Sequence, residues 1–255
     1  MPTLEHEVDL YYTEAGAGDA ILFCHGAGGN AASWYNQFGE FARDYRCVAY
    51  DCRGFGRSTC AAEDFDGRRF GADAIALLDH LEIDSAHFVC QSMGGWTGVR
   101  VALEHPDRVR KLVLSDTIGG IALQSGIDSI RTVGERVADT RLSNAAVAPG
   151  FHEREPALGF LYTQISDFNR LPQEAVGGSL FDPETMVSME QARRLSLPIL
   201  VFAGTHDVLW PPYVLRELAE ALPTAECFEI DSGHSPYFEN PAVFNRALRE
   251  FLERA

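Results

Sequence analysis

The chain has no apolar run approaching the roughly 18 residues that a membrane-spanning helix requires, so no transmembrane segment is expected. It is also poor in positive charge: 21 Lys plus Arg stand against 37 Asp plus Glu, a formal net charge of −16. A surface of that sign repels phosphate backbones and anionic headgroups, which argues against nucleic acid and membranes as partners. The first residues, MPTLEHEVDLYY, lack the basic region followed by an apolar core that an export signal needs, and a cytoplasmic protein is expected. The six cysteines are irregularly spaced and contain no C-x-x-C. Cys24, Cys47, Cys90 and Cys227 fall in strand-like runs, so buried free thiols in a reducing compartment are expected rather than disulfides. His6, His80, His87, His105, His152 and His206 show no ligand spacing, and neither a metal nor a cofactor is predicted. No repeat or low-complexity stretch is visible, and nothing in the sequence specifies an oligomeric state.

What the 255 residues do contain is an alternation of short β-rich apolar runs with amphipathic stretches. At this length a single α/β domain can bury roughly 70% of the surface its unfolded chain exposes. Strands are expected at 20–26 (AILFCHG), 46–51 (RCVAYD), 86–91 (AHFVCQ), 110–116 (RKLVLSD), 198–204 (PILVFAG) and 225–231 (AECFEID). Helical spacing marks 33–44, 68–82, 93–105, 212–222 and 241–254. The pattern predicts a mostly parallel sheet with helices on both faces. Between Asp116 and Leu197 about eighty residues pass without a convincing strand, far longer than a loop in a compact domain. The reading is therefore a core built from 1–116 and 196–255, with 117–195 inserted as a helical cap.

Residues 88–95 read FVCQSMGG and place a serine between a buried-looking strand and a glycine-rich helix start. A nucleophilic serine on a sharp strand-to-helix turn needs small residues two before and two after it, because strand and helix pass closely. Gly94 meets this requirement. Cys90 stands where the G-x-S-x-G pattern has its first glycine, so this copy reads C-x-S-x-G. A serine nucleophile also needs a base and an orienting acid. Asp207 (in FAGTHDVLWPP) and His234 (in EIDSGHSPYFENP) both follow strands, at the ends where open α/β sheets build their sites. Asp116, ending the preceding core strand, is the other candidate acid, and Asp207 is preferred.

The order Ser92, Asp207, His234 resembles that of the α/β-hydrolase superfamily, and the resemblance spans nearly the whole chain. HGAGG (25–29) is similar to its oxyanion loop, DCRGFGRS (51–58) to its D-x-R-G-x-G-x-S loop and CQSMGG to its nucleophile elbow. GTHDVLWPP and GHSPYFENP are similar to its acid and histidine loops. The resemblance implies an eight-stranded-type α/β-hydrolase fold with an inserted cap. It also implies a Ser92–Asp207–His234 triad and an oxyanion hole made by the backbone N–H groups of Ala27 and Met93. His25 is expected to brace the oxyanion loop. Trp34 and Trp210 are expected to line the substrate pocket, whereas Trp96 is expected to pack in the core.

A serine rather than an aspartate at the elbow argues against the epoxide-hydrolase and dehalogenase branches. The expected activity is cleavage of a small carboxylic ester or lactone, as in the esterases and enol-lactonases of this superfamily. Three alternatives stay open: a C–C bond hydrolase of ring-cleavage diketones, a triad-bearing small-molecule receptor, and an acyl transferase. The first would need a basic cap residue for the substrate carboxylate, with Arg131, Arg136 and Arg154 as candidates.

Overall fold

The computed structural model describes residues 2–137 and 142–254, apart from the side chains of 134–137, 142 and 143. Eight strands form one sheet: β1 (Thr3–Leu4), β2 (Leu10–Ala15), β3 (Ala20–Cys24), β4 (Arg46–Tyr50), β5 (Ala86–Gln91), β6 (Val109–Ser115), β7 (Ile199–Gly204) and β8 (Ala225–Ile230). Their order is β1-β2-β4-β3-β5-β6-β7-β8, and β3 to β8 run parallel. The first two strands are antiparallel additions. They escape the sequence reading because β2, LYYTEA, is fully buried only at Leu10 and Tyr12 and carries the polar Thr13 and Glu14.

Helices α1 (Tyr35–Phe41), α2 (Phe70–His80) and α3 (Gly94–Glu104) follow β3, β4 and β5. Between β6 and β7 lie α4 (Gln124–Val137), α5 (Leu142–Ala145), α6 (Phe151–Arg154), α7 (Pro156–Ser166), α8 (Gln173–Leu180) and α9 (Met189–Ala192). The chain closes with α10 (Pro212–Ala221), α11 (Pro236–Glu239) and α12 (Pro241–Glu253).

The period-2 alternation of a strand sends neighbouring side chains of β3 to opposite layers. Leu22 and Cys24 join the core shared with Leu77 of α2, Val99 of α3 and Leu218 of α10. Ile21 and Phe23 join the core shared with Phe41 of α1 and Phe251 of α12. Both faces are thus dry, which is why β3 and β7 are apolar throughout. Each fully buried Leu, Ile or Phe contributes about 1.5–3 kcal/mol to holding the layers together. At the sheet edge β8 is exposed or half-buried at every position but Ile230, and Cys227 on it is exposed. The expectation of a buried thiol there is corrected: an edge strand lacks a neighbour on one side. Cys24, Cys47 and Cys90 are buried and free.

Between β6 and β7 the described residues form helices joined by loops, apart from one bridge that pairs Ile121 with Val187. There Ala122 N–H donates to Val187 O (2.7 Å) and Val187 N–H to Gly120 O (2.8 Å). These bonds draw the two ends of the excursion together into a neck. Among the described residues no helix is long and apolar enough to cross a membrane.

Candidate active site

Ser92 follows β5 directly and adopts φ 48°, a left-handed conformation that costs a non-glycine residue about 1–2 kcal/mol. The surroundings hold it there: Ser92 N–H donates to Ser115 O of β6 (3.0 Å), and the Thr117 hydroxyl donates to Ser92 O (2.7 Å). The turn is tight enough to need Gly94, where a Cβ would fall 2.2 Å from Cys24 O. Cys90 is accommodated from the other side. Its Sγ occupies the space that a Cβ at Gly98 of α3 would need, 2.6 Å away. The small residue missing at position 90 is therefore supplied on the facing helix.

Asp207 and His234 come from the loops after β7 and β8. His234 Nδ1 and Asp207 Oδ2 are 2.8 Å apart, and both side chains are buried. Asp207 Oδ1 accepts from Leu209 N–H (2.7 Å) and Trp210 N–H (3.2 Å), which holds the carboxylate in place. With a carboxylate as partner, Nδ1 carries the imidazole proton and Nε2 the lone pair. That Nε2 is buried and has no hydrogen-bond partner. The histidine loop is joined to the elbow beside the serine, where Gln91 Nε2 donates to His234 O (2.9 Å).

Asp116 is also close: Asp116, Asp207 and His234 each offer an atom within 4.8 Å of the others. Burial, and then the charge of Asp207, push the Asp116 carboxyl well above the usual carboxylate range. It accepts from Gly204 N–H (2.7 Å) and the Ser115 hydroxyl (3.1 Å), while the imidazole contacts Asp207. These three side chains are also the one cluster among the described residues with atoms near enough to share a metal ion. The donors already directed at Asp116 and the His234–Asp207 bond suit proton sharing better.

Ser92, Ala27, Met93 and Trp210 line one cavity of about 550 Å³. The loop bearing Ala27 packs on the elbow, for a Cβ at Gly26 would lie 2.8 Å from Ser92 Cβ. His25 braces this loop with both ring nitrogens: Nδ1–H donates to Gly26 O (2.8 Å), and Nε2 accepts from Cys52 N–H (2.9 Å). Burial lowers its tendency to protonate, consistent with a neutral bracing ring. Asn169, which sequence reasoning missed, clasps the same loop from the insertion by donating to Gly29 O (3.0 Å).

One expectation for the tryptophans is corrected and another extended. Trp34 does not line the cavity; it is fully buried, with its ring 4.3 Å from that of Tyr237 and 5.0 Å from that of Phe23. The first turn after the loop points its side chain back onto the sheet. Trp96 is buried in the core as expected, and it also lines the cavity one turn beyond Ser92, anchored by Nε1–H donation to Leu180 O (3.0 Å). Its partner in the wall is Trp210, 6.2 Å away, whose ring is 5.7 Å from that of His234. Ile130, Val176, Leu180 and Phe181 of the insertion complete the apolar lining, and Ser166, Asp167 and Gln173 add polar groups. A second cleft of about 570 Å³, around Arg53, Asp66 and Arg68, is charged. Its arginines are committed to Asp73, Asp66 and Glu184.

Comparison with known proteins agrees with this architecture. Residues 19–241 match the family described as alpha/beta hydrolase fold. The chain is 29% identical to 3-oxoadipate enol-lactonase 2 of Acinetobacter baylyi, over 97% of this chain and 94% of that protein. It is likewise 29% identical to a 2-hydroxymuconate semialdehyde hydrolase of a Pseudomonas species, over 95% and 89%. Among solved structures it resembles Est816, an N-acyl homoserine lactone degrading enzyme, with 28% identity, a TM-score of 0.81 and coverage of 98% and 100%. The chain belongs to the α/β-hydrolase family and is a hydrolase.

Proposed function

We propose that the protein cleaves a small carboxylic ester or lactone through an acyl-enzyme on Ser92. The observation that carries this reading is the His234–Asp207 pair, with its unpartnered Nε2, tied through Gln91 to a strained serine that opens into an apolar cavity. In the reaction His234 Nε2 takes the Ser92 proton as Oγ bonds to the substrate carbonyl carbon, whose π electrons move onto oxygen. The N–H groups of Ala27 and Met93 receive that oxyanion, each donor being worth about 10²–10³ in rate. Collapse re-forms the carbonyl and expels the alkoxide, which takes the proton from the imidazolium. For a lactone the leaving oxygen stays tethered to the acyl group. Water, deprotonated by His234, then cleaves the acyl-enzyme and restores the serine.

In this reading residues 117–195 act as a cap over the site, supplying the apolar wall opposite Trp96 and Trp210. The enol-lactonase and lactone-degrading relatives favour an oxygen ester as the scissile bond. The C–C hydrolase alternative finds less support. Arg131 is exposed and paired with Asp128, and Arg154 donates to Pro149 O, so neither serves as a carboxylate anchor in the cavity. The Arg136 side chain lies outside the described residues.

The test is release of p-nitrophenol from a short-chain ester, followed by hydrolysis of a panel of simple lactones, by wild type and Ser92→Ala. Sustained turnover lost in the variant is the expected result. Turnover retained by Ser92→Ala, or a single burst without turnover, would reject the hydrolytic cycle on this serine.

A further inference from the structure

The histidine loop carries a half-buried carboxylate for which the reaction has no use. Glu239, at the end of α11, accepts three backbone N–H groups: Gly233 (3.1 Å) and Ser235 (3.1 Å), which flank His234, and Ala148 (2.8 Å), which belongs to the insertion. The neighbouring hydroxyl repeats the link. Ser235 Oγ donates to Ala146 O (2.7 Å), so its one proton is engaged and Tyr162 of α7 donates to it (2.9 Å). The two segments also touch directly, since a Cβ at Gly233 would fall 2.1 Å from Ala148 N. The backbone N–H groups on either side of the imidazole are thus held by a carboxylate that also holds an N–H of the insertion.

We propose that Glu239, assisted by Ser235, is a positioning residue that makes the place of the His234 imidazole depend on how the insertion is seated. The inference rests on His234 being the base of the reaction above. A carboxylate suits the task because both of its oxygens accept and neither repels an N–H donor, whereas an amide would turn an NH₂ group toward at least one of the three. When the insertion shifts, Ala146 and Ala148 move the clamp, and the clamp moves the residues on either side of the base.

The experiment compares wild type, Glu239→Gln and Tyr162→Phe. It measures kcat and KM on the p-nitrophenyl ester and, in the resting protein, the downfield proton resonance of His234 Nδ1–H. For Glu239→Gln the expectation is a kcat lowered about tenfold or more with KM little changed, because small misplacements of a reacting group cost rate. The Nδ1 proton shifts or broadens with it. Tyr162→Phe, altered only in the insertion, is expected to move both in the same direction by less. Wild-type kcat and an unmoved resonance in Glu239→Gln would overturn the proposal. An unmoved Tyr162→Phe beside a perturbed Glu239→Gln would overturn the dependence on the insertion. Thermal melts report folding, and if Glu239→Gln does not fold, Tyr162→Phe decides alone. Failure of the ester assay in wild type would count against the proposed reaction, whereas the resonance in the resting protein tests Glu239 independently of it.

Discussion

Replacing Gly98 by alanine would place a Cβ 2.6 Å from Cys90 Sγ and 2.6 Å from Leu112 Cδ1, distances at which something must move. The leucine methyl ends a side chain with two rotatable bonds and can swing aside. Cys90 has one rotatable bond and lies fully buried on β5, paired in register with Cys24 on one side and Leu114 on the other. Overpacking of this kind costs about 1–3 kcal/mol, against about 1 kcal/mol gained from the better helix propensity of alanine. The net effect of Gly98→Ala is a loss of roughly 1 kcal/mol. Cys90→Ala alone leaves a small void and costs about 1 kcal/mol as well. In the double variant the sulfur is gone and the new Cβ meets the Cβ at position 90 at 3.6 Å, an ordinary contact. The two losses therefore do not add, and the coupling energy is expected to be about 1–2 kcal/mol in favour of the double variant. Thermal melts of the four proteins resolve this, since 1 kcal/mol shifts Tm by about 2–4 °C in a chain of this size. Additivity within about 0.5 kcal/mol would refute the idea that Gly98 is what admits a cysteine at the elbow.

Other expectations follow from the buried ionisable groups. Asp207→Asn should lower kcat by about 10⁴, because the imidazole loses the acceptor that fixes its tautomer. Asp116→Asn, at a carboxyl that burial and the Asp207 charge push well above the usual range while the imidazole bonds Asp207 instead, should stay within roughly threefold of wild type. Equal losses in steady-state assays of the two would show that Asp116 shares the role. His87 is pushed down to about 4, first by burial and then by the charges of Arg110 and Lys111. Below its ordinary value near 6.5 the unfolded chain takes up a proton that the native ring refuses, so the full contribution is present above pH 6.5 and falls away toward pH 4. Between pH 6.5 and 4.5 this withdraws roughly 2 kcal/mol. Denaturant melts of His87→Gln should show a correspondingly flatter acid limb, and an unchanged limb would place the sensitivity elsewhere.

Much of the molecule was legible before folding because its signals are local. A fully buried parallel strand must be apolar at nearly every position, so β3, β4, β5, β6 and β7 could be read to within a residue or two. An elbow must be small on both sides of its serine, which singled out Ser92 even with Cys90 in the way. The half-exposed β2 lacked such a signature and was missed.

Long-range placement accounts for the rest. Asp116 and Asp207 both follow core strands, and only the packing of the loops decides that the imidazole bonds to Asp207 while Asp116 stays behind it, its carboxyl pushed well above the usual carboxylate range. Trp34 and Trp96 both lie near motif loops, yet one turns into the sheet and the other into the cavity. Nothing local distinguishes Glu239 from any other exposed-looking acid near a helix end. Its three partners lie four, six and ninety-one residues away: a neighbour of the base on each side and an insertion amide far along the chain. The sequence by itself determined the sheet, the elbow and the order of the chemical groups, because these depend on residues adjacent in the chain. Tertiary structure alone decided which acid meets the base, which rings wall the cavity and what the histidine loop is fastened to, because each depends on two segments meeting that the chain keeps far apart.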